Sequence, residues 1–159
     1  MRYLAARNPN HSTAVTLVTM RTKFDCLTCI TAMLLGITYE EVQRAFGGNL
    51  DTSKDRKEEE ERLARAFEML LQSHNRGALY LEDIPPITEG RRYWVAVRID
   101  DINNPLSEEM THSIAIDEFG RVFDPNPEYG EFVSLAAWNA AMILPHKIEF
   151  ATEIFEYCL

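Results

Sequence analysis

The chain has 159 residues, 46% of them hydrophobic and 26% charged, with a formal net charge of −9. That length and balance fit one globular domain with a sizeable core. The acidic excess, with no basic stripe to offset it, speaks against nucleic acid and anionic membrane as partners, and no apolar run is long enough to span a bilayer. Three cysteines, Cys26, Cys29 and Cys158, are too few and too unevenly placed for a disulfide framework. The residues Met1–Asn10 lack the apolar core of a secretory signal, so a reducing cytoplasm is the expected compartment.

In chain order, residues 13–20 (Thr-Ala-Val-Thr-Leu-Val-Thr-Met) alternate and are rich in β-branched types, which predicts a strand. Asp25 then predicts the cap of a helix that starts at Cys26, and Gly36 predicts its end. Thr38-Tyr39-Glu40-Glu41 repeats the start signal as a capping box, with Val42 and Phe46 on one face of a short second helix that Gly47-Gly48-Asn49 stops. Residues 54–76 carry a charged run, Lys54 to Arg62, and then Leu63, Ala66, Phe67, Leu70 and Leu71 at helical spacing. This reads as a surface helix with its stripe on the core and its charges in water, in preference to a partner-binding helix.

Ile84-Pro85-Pro86 is a break within one domain, 1–159, and not a linker between two. Residues 92–99 predict a buried strand, 100–110 a polar loop, 112–117 and 121–124 a hairpin, 135–142 a helix and 146–156 a last strand. Helices first and strands later predict an α+β fold, an antiparallel sheet packed on the cysteine helix. There is no internal repeat.

The chemistry gathers at Phe24-Asp25-Cys26-Leu27-Thr28-Cys29. A thiol in the first turn of an uncharged helix sits at the positive end of its dipole, beside N–H groups without intrahelical partners, and is favoured as thiolate. The plain alternative is a buried structural cysteine, but a helix start behind a capping aspartate points to a nucleophile. Cys29, one turn later, completes a Cys-x-x-Cys that also suits a redox dithiol or half a zinc site. No second such pair exists, His11, His74 and His146 are scattered, and Leu27-Thr28 reads as helix interior. Cys29 is therefore assigned to the core, with no metal or cofactor required.

His112 and Asp124 lie on the predicted hairpin. If Glu118-Phe119-Gly120 is a three-residue loop with Gly120 left-handed, Ile114 pairs with Asp124 and His112 with Asn126. The side chains at 112, 114, 122, 124 and 126 then share a face, with Asp124 diagonal to His112. A two-residue turn would put Asp124 on the opposite face. In the first register Asp124 accepts a hydrogen bond from one imidazole nitrogen, fixes the tautomer and leaves the other nitrogen for the thiol. Asn126 is the alternative orienting residue. The bland readings are a hydrogen-bonded core histidine and an Asp-Pro that starts a turn.

Asp-Cys-x-x-Cys-x-x-Ala-x-x-Leu-Gly-Ile-x-Tyr-Glu-Glu-Val (25–42), His-Ser-Ile-Ala-Ile-Asp (112–117) and Val-Phe-Asp-Pro-Asn-Pro (122–127) together resemble the papain-like cysteine peptidase superfamily. The nearest likeness is to small bacterial and phage proteins similar to the peptidases that trim double-glycine leader peptides. The resemblance implies a helical half packed against an antiparallel sheet, with the site in the cleft between. It also implies Cys26 as nucleophile, His112 as general base and then acid, and Asp124 as the orienting carboxylate, acting on a peptide or protein substrate.

Two positions depart from the family pattern. Leu27 stands where a small residue usually follows the cysteine, and no glutamine precedes it, Gln43 and Gln72 being the only two in the chain. Thr19, Arg21, Thr22 and Lys23 are the side chains available in place of that glutamine. The expectation is a thiol-dependent hydrolase of peptide or isopeptide bonds working through an acyl-enzyme, and an acyltransferase would use the same three residues. The alternatives are a weakly active or inactive papain-like scaffold that serves as a protein-binding module, and a dithiol redox protein using Cys26 and Cys29.

Overall fold

Helix α1, Cys26–Leu35, is apolar on all sides, and every residue from Thr28 onward is buried. A helix of that kind belongs in the middle of a domain. The computed structural model describes residues 7–8, 11, 13–81, 87, 90–99 and 111–157, and in it α1 is the centre of a helical layer. Gly36 ends the helix at φ 68°, where a β-carbon would lie 2.7 Å from the Thr13 hydroxyl. Helix α2, Tyr39–Phe46, opens with the Thr38 hydroxyl accepting from the Glu41 N–H and buries Val42 and Phe46. Helix α3, Arg56–Ser73, is capped by Asp55 and buries Leu63, Phe67 and Leu71. The connection between α2 and α3 is clamped by Arg62, which donates to the carbonyls of Phe46 and Asn49 and pairs with the buried Glu59.

The strands are β1 (Arg7–Asn8), β2 (Arg76–Leu81), β3 (Arg92–Ile99), β4 (Thr111–Ile116), β5 (Val122–Asp124), β6 (Gly130–Phe132) and β7 (His146–Tyr157). They form one sheet in which β7, β3, β4, β5 and β6 are successive neighbours and β2 pairs with β7. All pairings are antiparallel. Glu156 pairs with Arg76 on one side and with Asn8 on the other, so β1 continues the edge of β7 that β3 occupies. A fourth helix, α4 (Leu135–Ala141), lies between β6 and β7 in sequence.

Two cores flank the sheet. One joins α1, α2 and α3 to Ala115, Phe123 and Ile154; the other joins Trp138 of α4 to Val95, Val97, Ile114, Ile116 and Val122. Strand alternation explains the split, since successive side chains point to opposite faces. The architecture is therefore α+β, with, among the described residues, three helices on one face of an antiparallel sheet and a short one on the other.

Residues 13–20 differ from the sequence expectation. They form no strand: Val15 is buried against the helices, Leu17, Val18 and Met20 pack partly on the same core, and the Met20 N–H donates to the Pro125 carbonyl at 2.8 Å. Their alternation reflects one-sided burial over the helical layer with no neighbouring strand to pair with. Helix α3 also stops short of residue 76. Asn75 takes a positive φ of 56°, and Arg76 begins β2, a strand that polar Asn75 and flanking charges conceal in the sequence. The break at Ile84-Pro85-Pro86 and the loop at 100–110 lie outside the described residues.

Candidate active site

The hairpin carrying His112 and Asp124 closes through Asp117, whose N–H donates to the Arg121 carbonyl at 3.0 Å while the Gly120 N–H returns to the Asp117 carbonyl at 3.0 Å. Asp117 also accepts from the Phe119 and Arg121 N–H groups, and Gly120 sits at φ 79°. This is the three-residue loop that glycine at the left-handed position favours. Ala115 pairs with Phe123 and Ile116 with Val122, the register that sets Ile114 opposite Asp124.

His112 Nε2 consequently lies 2.7 Å from Asp124 Oδ1. The carboxylate is fully buried and fully used: Oδ1 also accepts the Asn126 N–H at 2.9 Å, and Oδ2 accepts the Trp138 indole N–H at 2.8 Å. Asn126 meets Asp124 through its backbone, while its own side-chain oxygen accepts from the Glu128 N–H. The orienting contact on His112 is therefore made by Asp124 and not by Asn126.

Cys26 comes to this pair from the other layer. It opens α1 and remains partly exposed. With Nε2 on Asp124, the Nδ1 nitrogen of His112 is the one left for Cys26, and the thiol and the imidazole shift each other's ionisation. Burial works against ionisation of the thiol. The neighbouring His112, and after it the polar groups of Ser113, outweigh it and hold Cys26 below its ordinary 9.0. Burial likewise opposes protonation of His112, but the bond to Asp124 and the neighbouring Cys26 prevail and raise it from 6.5 to about 10. The two shifts belong to one coupled pair, in which the charged form of each group favours the charged form of the other.

Asp25 occupies the N-cap position, yet its side chain makes no bond to the helix. It is buried, and its Oδ2 accepts from the Arg21 N–H at 2.9 Å, the Thr22 N–H at 3.2 Å and the Tyr39 hydroxyl at 2.7 Å. It therefore folds the turn before the helix and accepts from none of the first-turn N–H groups, which as the positive end of the helix favour an anion. Asn49 braces the same turn, donating to the Tyr39 hydroxyl at 3.2 Å and accepting from the Thr28 hydroxyl at 2.7 Å. Of the side chains that might replace a glutamine, Arg21 is held by Glu40 at 2.8 Å and lies over the Tyr39 ring, the Thr22 hydroxyl accepts from the Phe24 N–H, and Thr19 and Lys23 are exposed.

Cys29 is fully buried, and burial, together with the charges of Asp25 and Cys26, pushes its thiol up to about 12. A thiol in that condition neither attacks nor exchanges.

Sequence reasoning missed Trp138 and Ser113. Trp138 was readable only as a helix residue, although a buried indole N–H ordinarily needs an acceptor. Ser113 directly follows the histidine, but its hydroxyl meets the Trp94 indole N–H only across the β3–β4 pairing. Among the described residues no group of His, Cys, Asp and Glu side chains is arranged to hold a metal ion, and no helix is long and apolar enough to cross a membrane. No protein-family model and no curated protein matches the chain, so the functional reading rests on this geometry.

Proposed function

We propose that the chain is a thiol-dependent hydrolase of the papain-like kind, acting on a peptide or isopeptide bond. The observation that carries the reading is the His112–Asp124 pair, 2.7 Å apart at the ends of β4 and β5, with the thiol that opens α1 coupled to the same imidazole. A helix opened by the cysteine and docked on an antiparallel sheet, with the histidine starting one strand and Asp-Pro ending the next, supports the likeness drawn from the sequence.

In the reaction the Cys26 thiolate attacks the substrate carbonyl, and the open N–H groups at the start of α1 receive the oxyanion. The imidazolium gives its Nδ1 proton to the leaving amine as the C–N bond breaks, which leaves a thioester and a neutral His112. His112 then takes a proton from water, the hydroxide attacks the thioester, and the thiolate and imidazolium are restored. Asp124 holds the ring throughout. On the sheet, an aromatic row starts at Trp94, whose indole N–H reaches Ser113: Trp94 meets Phe150 at 5.3 Å between ring centroids, and Phe150 meets the exposed Tyr80 at 5.3 Å. Such a surface suits an apolar side chain of a peptide.

The test is labelling by an epoxide-type thiol electrophile at neutral pH, with wild type, Cys26→Ala and His112→Ala compared. Efficient labelling of the wild type alone is expected. No labelling of the wild type would sink the hydrolase reading and leave a binding module on the same scaffold. Labelling that requires Cys29 and reverses with reductant would point to dithiol chemistry.

A further inference from the structure

Each of the four helices among the described residues starts behind a residue able to cap it, and three of them are capped. The side chains of Thr38, Asp55 and Ser134 accept from the N–H groups of Glu41, Glu58 and Ala137, three residues on. Asp25, before α1, caps nothing. Its backbone, at φ −114° and ψ 17°, lies outside the extended conformation of Thr38 and Ser134. Its Oδ2 is occupied by the Arg21 and Thr22 N–H groups and the Tyr39 hydroxyl, and its Oδ1, also buried, meets no donor among the described residues. A buried carboxylate oxygen without a donor is costly and calls for an explanation. The first-turn N–H groups of α1 are the donors that an aspartate in this position ordinarily takes.

The Tyr39 hydroxyl makes the shortest of the three bonds that hold the carboxylate back, and the direction of its proton is fixed. Asn49 donates to the hydroxyl oxygen at 3.2 Å, and the Asn49 oxygen accepts the Thr28 hydroxyl at 2.7 Å, so the donors run one way, from Thr28 through Asn49 and Tyr39 to Asp25. The other charges at this knot, Arg21 over the Tyr39 ring at 4.0 Å and its partner Glu40, are exposed. We propose that Tyr39 is a positioning residue of the site. It keeps the Asp25 carboxylate on the turn and off the first-turn N–H groups, so that the positive end of α1 serves the Cys26 thiolate and the oxyanion; Asn49 aims its hydroxyl. The assignment rests on the hydrolase reading above and goes beyond it, giving a tyrosine of α2 a part in a reaction that it does not touch.

The experiment is the pH profile of iodoacetamide alkylation of the intact protein, followed at Cys26 by peptide mass spectrometry. Tyr39→Phe frees the carboxylate to cap α1, where its charge opposes the thiolate, and should raise the midpoint by about half a pH unit, the scale on which a charge acts at a helix terminus. Asp25→Asn keeps an acceptor oxygen for the turn but has no charge to move. In that background Tyr39→Phe should leave the midpoint where Asp25→Asn alone puts it, whereas loosened packing would act in both backgrounds alike. Asn49→Ala should give a smaller rise in the same direction. Should Tyr39→Phe fold poorly, Asn49→Ala takes its place, and an unmoved midpoint there overturns the assignment.

A Tyr39→Phe profile superimposed on the wild type, with His112→Ala still displaced, overturns the Tyr39 assignment alone. So does a rise of equal size in the Asp25→Asn background. A rise in Tyr39→Phe that Asn49→Ala does not share overturns the part given to Asn49. A wild-type midpoint at the ordinary thiol value, unmoved by His112→Ala, overturns the hydrolase reading itself.

Discussion

Asp124→Ala is the most informative single change, because one buried carboxylate satisfies three donors. Its removal leaves the His112 Nε2–H and the Trp138 indole N–H without an acceptor, Trp138 being fully buried and the His112 side chain 13% exposed. Each orphaned buried donor costs about 1–3 kcal/mol, so the pair costs about 2–6 kcal/mol. For a chain of this length that is a fall in melting temperature of about 5–20 °C. Scanning calorimetry reads it. Trp138→Phe removes one of the donors beforehand, so Asp124→Ala should cost less in that background, by about 1–2 kcal/mol. Turnover should fall by about two to four orders of magnitude, since the imidazole loses both its orientation and its countercharge. A melting temperature for Asp124→Ala within about 2 °C of the wild type, or strict additivity with Trp138→Phe, would refute the claim that this carboxylate anchors the site.

Other expectations follow from the same contacts. Cys29→Ser should leave alkylation of the native protein unchanged, because the thiol is buried and pushed up to about 12; rapid labelling of native Cys29 would contradict that. Arg62→Ala leaves the 3% exposed Glu59 with Lys54, at 3.9 Å, as its remaining cation, and should destabilise by less than the about 3–5 kcal/mol typical of a broken buried pair; urea unfolding measures it, and no loss of stability would contradict the clamp. The His112 shift, from 6.5 up to about 10, contributes stability that is full below 6.5 and is lost as pH rises towards about 10. Cys26, lowered from 9.0, works in the opposite sense, contributing fully above 9.0 and less as pH falls, so the two slopes oppose each other. Cys26→Ala removes the thiol slope and the thiol's share of the histidine shift, leaving the share of Asp124: its stability relative to Cys26→Ala/His112→Ala should decline above pH 6.5, and a flat or rising difference counts against a histidine raised by that carboxylate.

What the sequence disclosed was local. The boundaries of α1 and α2, the left-handed Gly36 and Gly120, and the register of the hairpin are each set by residues within a few positions, so turn chemistry and periodicity were enough to read them. The errors lie where a side chain or a backbone group answers to something distant. Asp25 has the identity of a helix cap, but Tyr39 and the preceding N–H groups hold it elsewhere. Residues 13–20 have the alternation of a strand, but their apolar side packs on α1 and its neighbours and no strand pairs with them. The short strand β6 is too brief for any periodicity to show. Trp138 acquires its role only when α4 docks on the sheet, and Ser113 meets Trp94 only when β3 and β4 pair.

That opposition of faces sets the geometric requirement of the site. By strand alternation His112 shares the α4 face with Ile114, and Asp124 shares it with Val122, while Ser113 and the helix that carries Cys26 belong to the other face. A sulfur on one face cannot reach an imidazole on the other through an unbroken sheet. It can do so only past a free edge of β4, and β5 provides that edge by ending at Asp124. Pro125 makes the ending obligatory, because a residue with no N–H cannot extend the ladder. The aspartate that orients the histidine and the proline after it therefore do separate work in adjacent positions, one fixing the ring and the other opening the gap through which the thiolate meets it. Pro125→Ala should restore an N–H where β4 can use it. If the gap matters as argued, the variant should keep its stability while its Cys26 alkylation falls towards that of a free thiol, and unchanged reactivity would show that the edge is held open by other means, such as the Met20 bond.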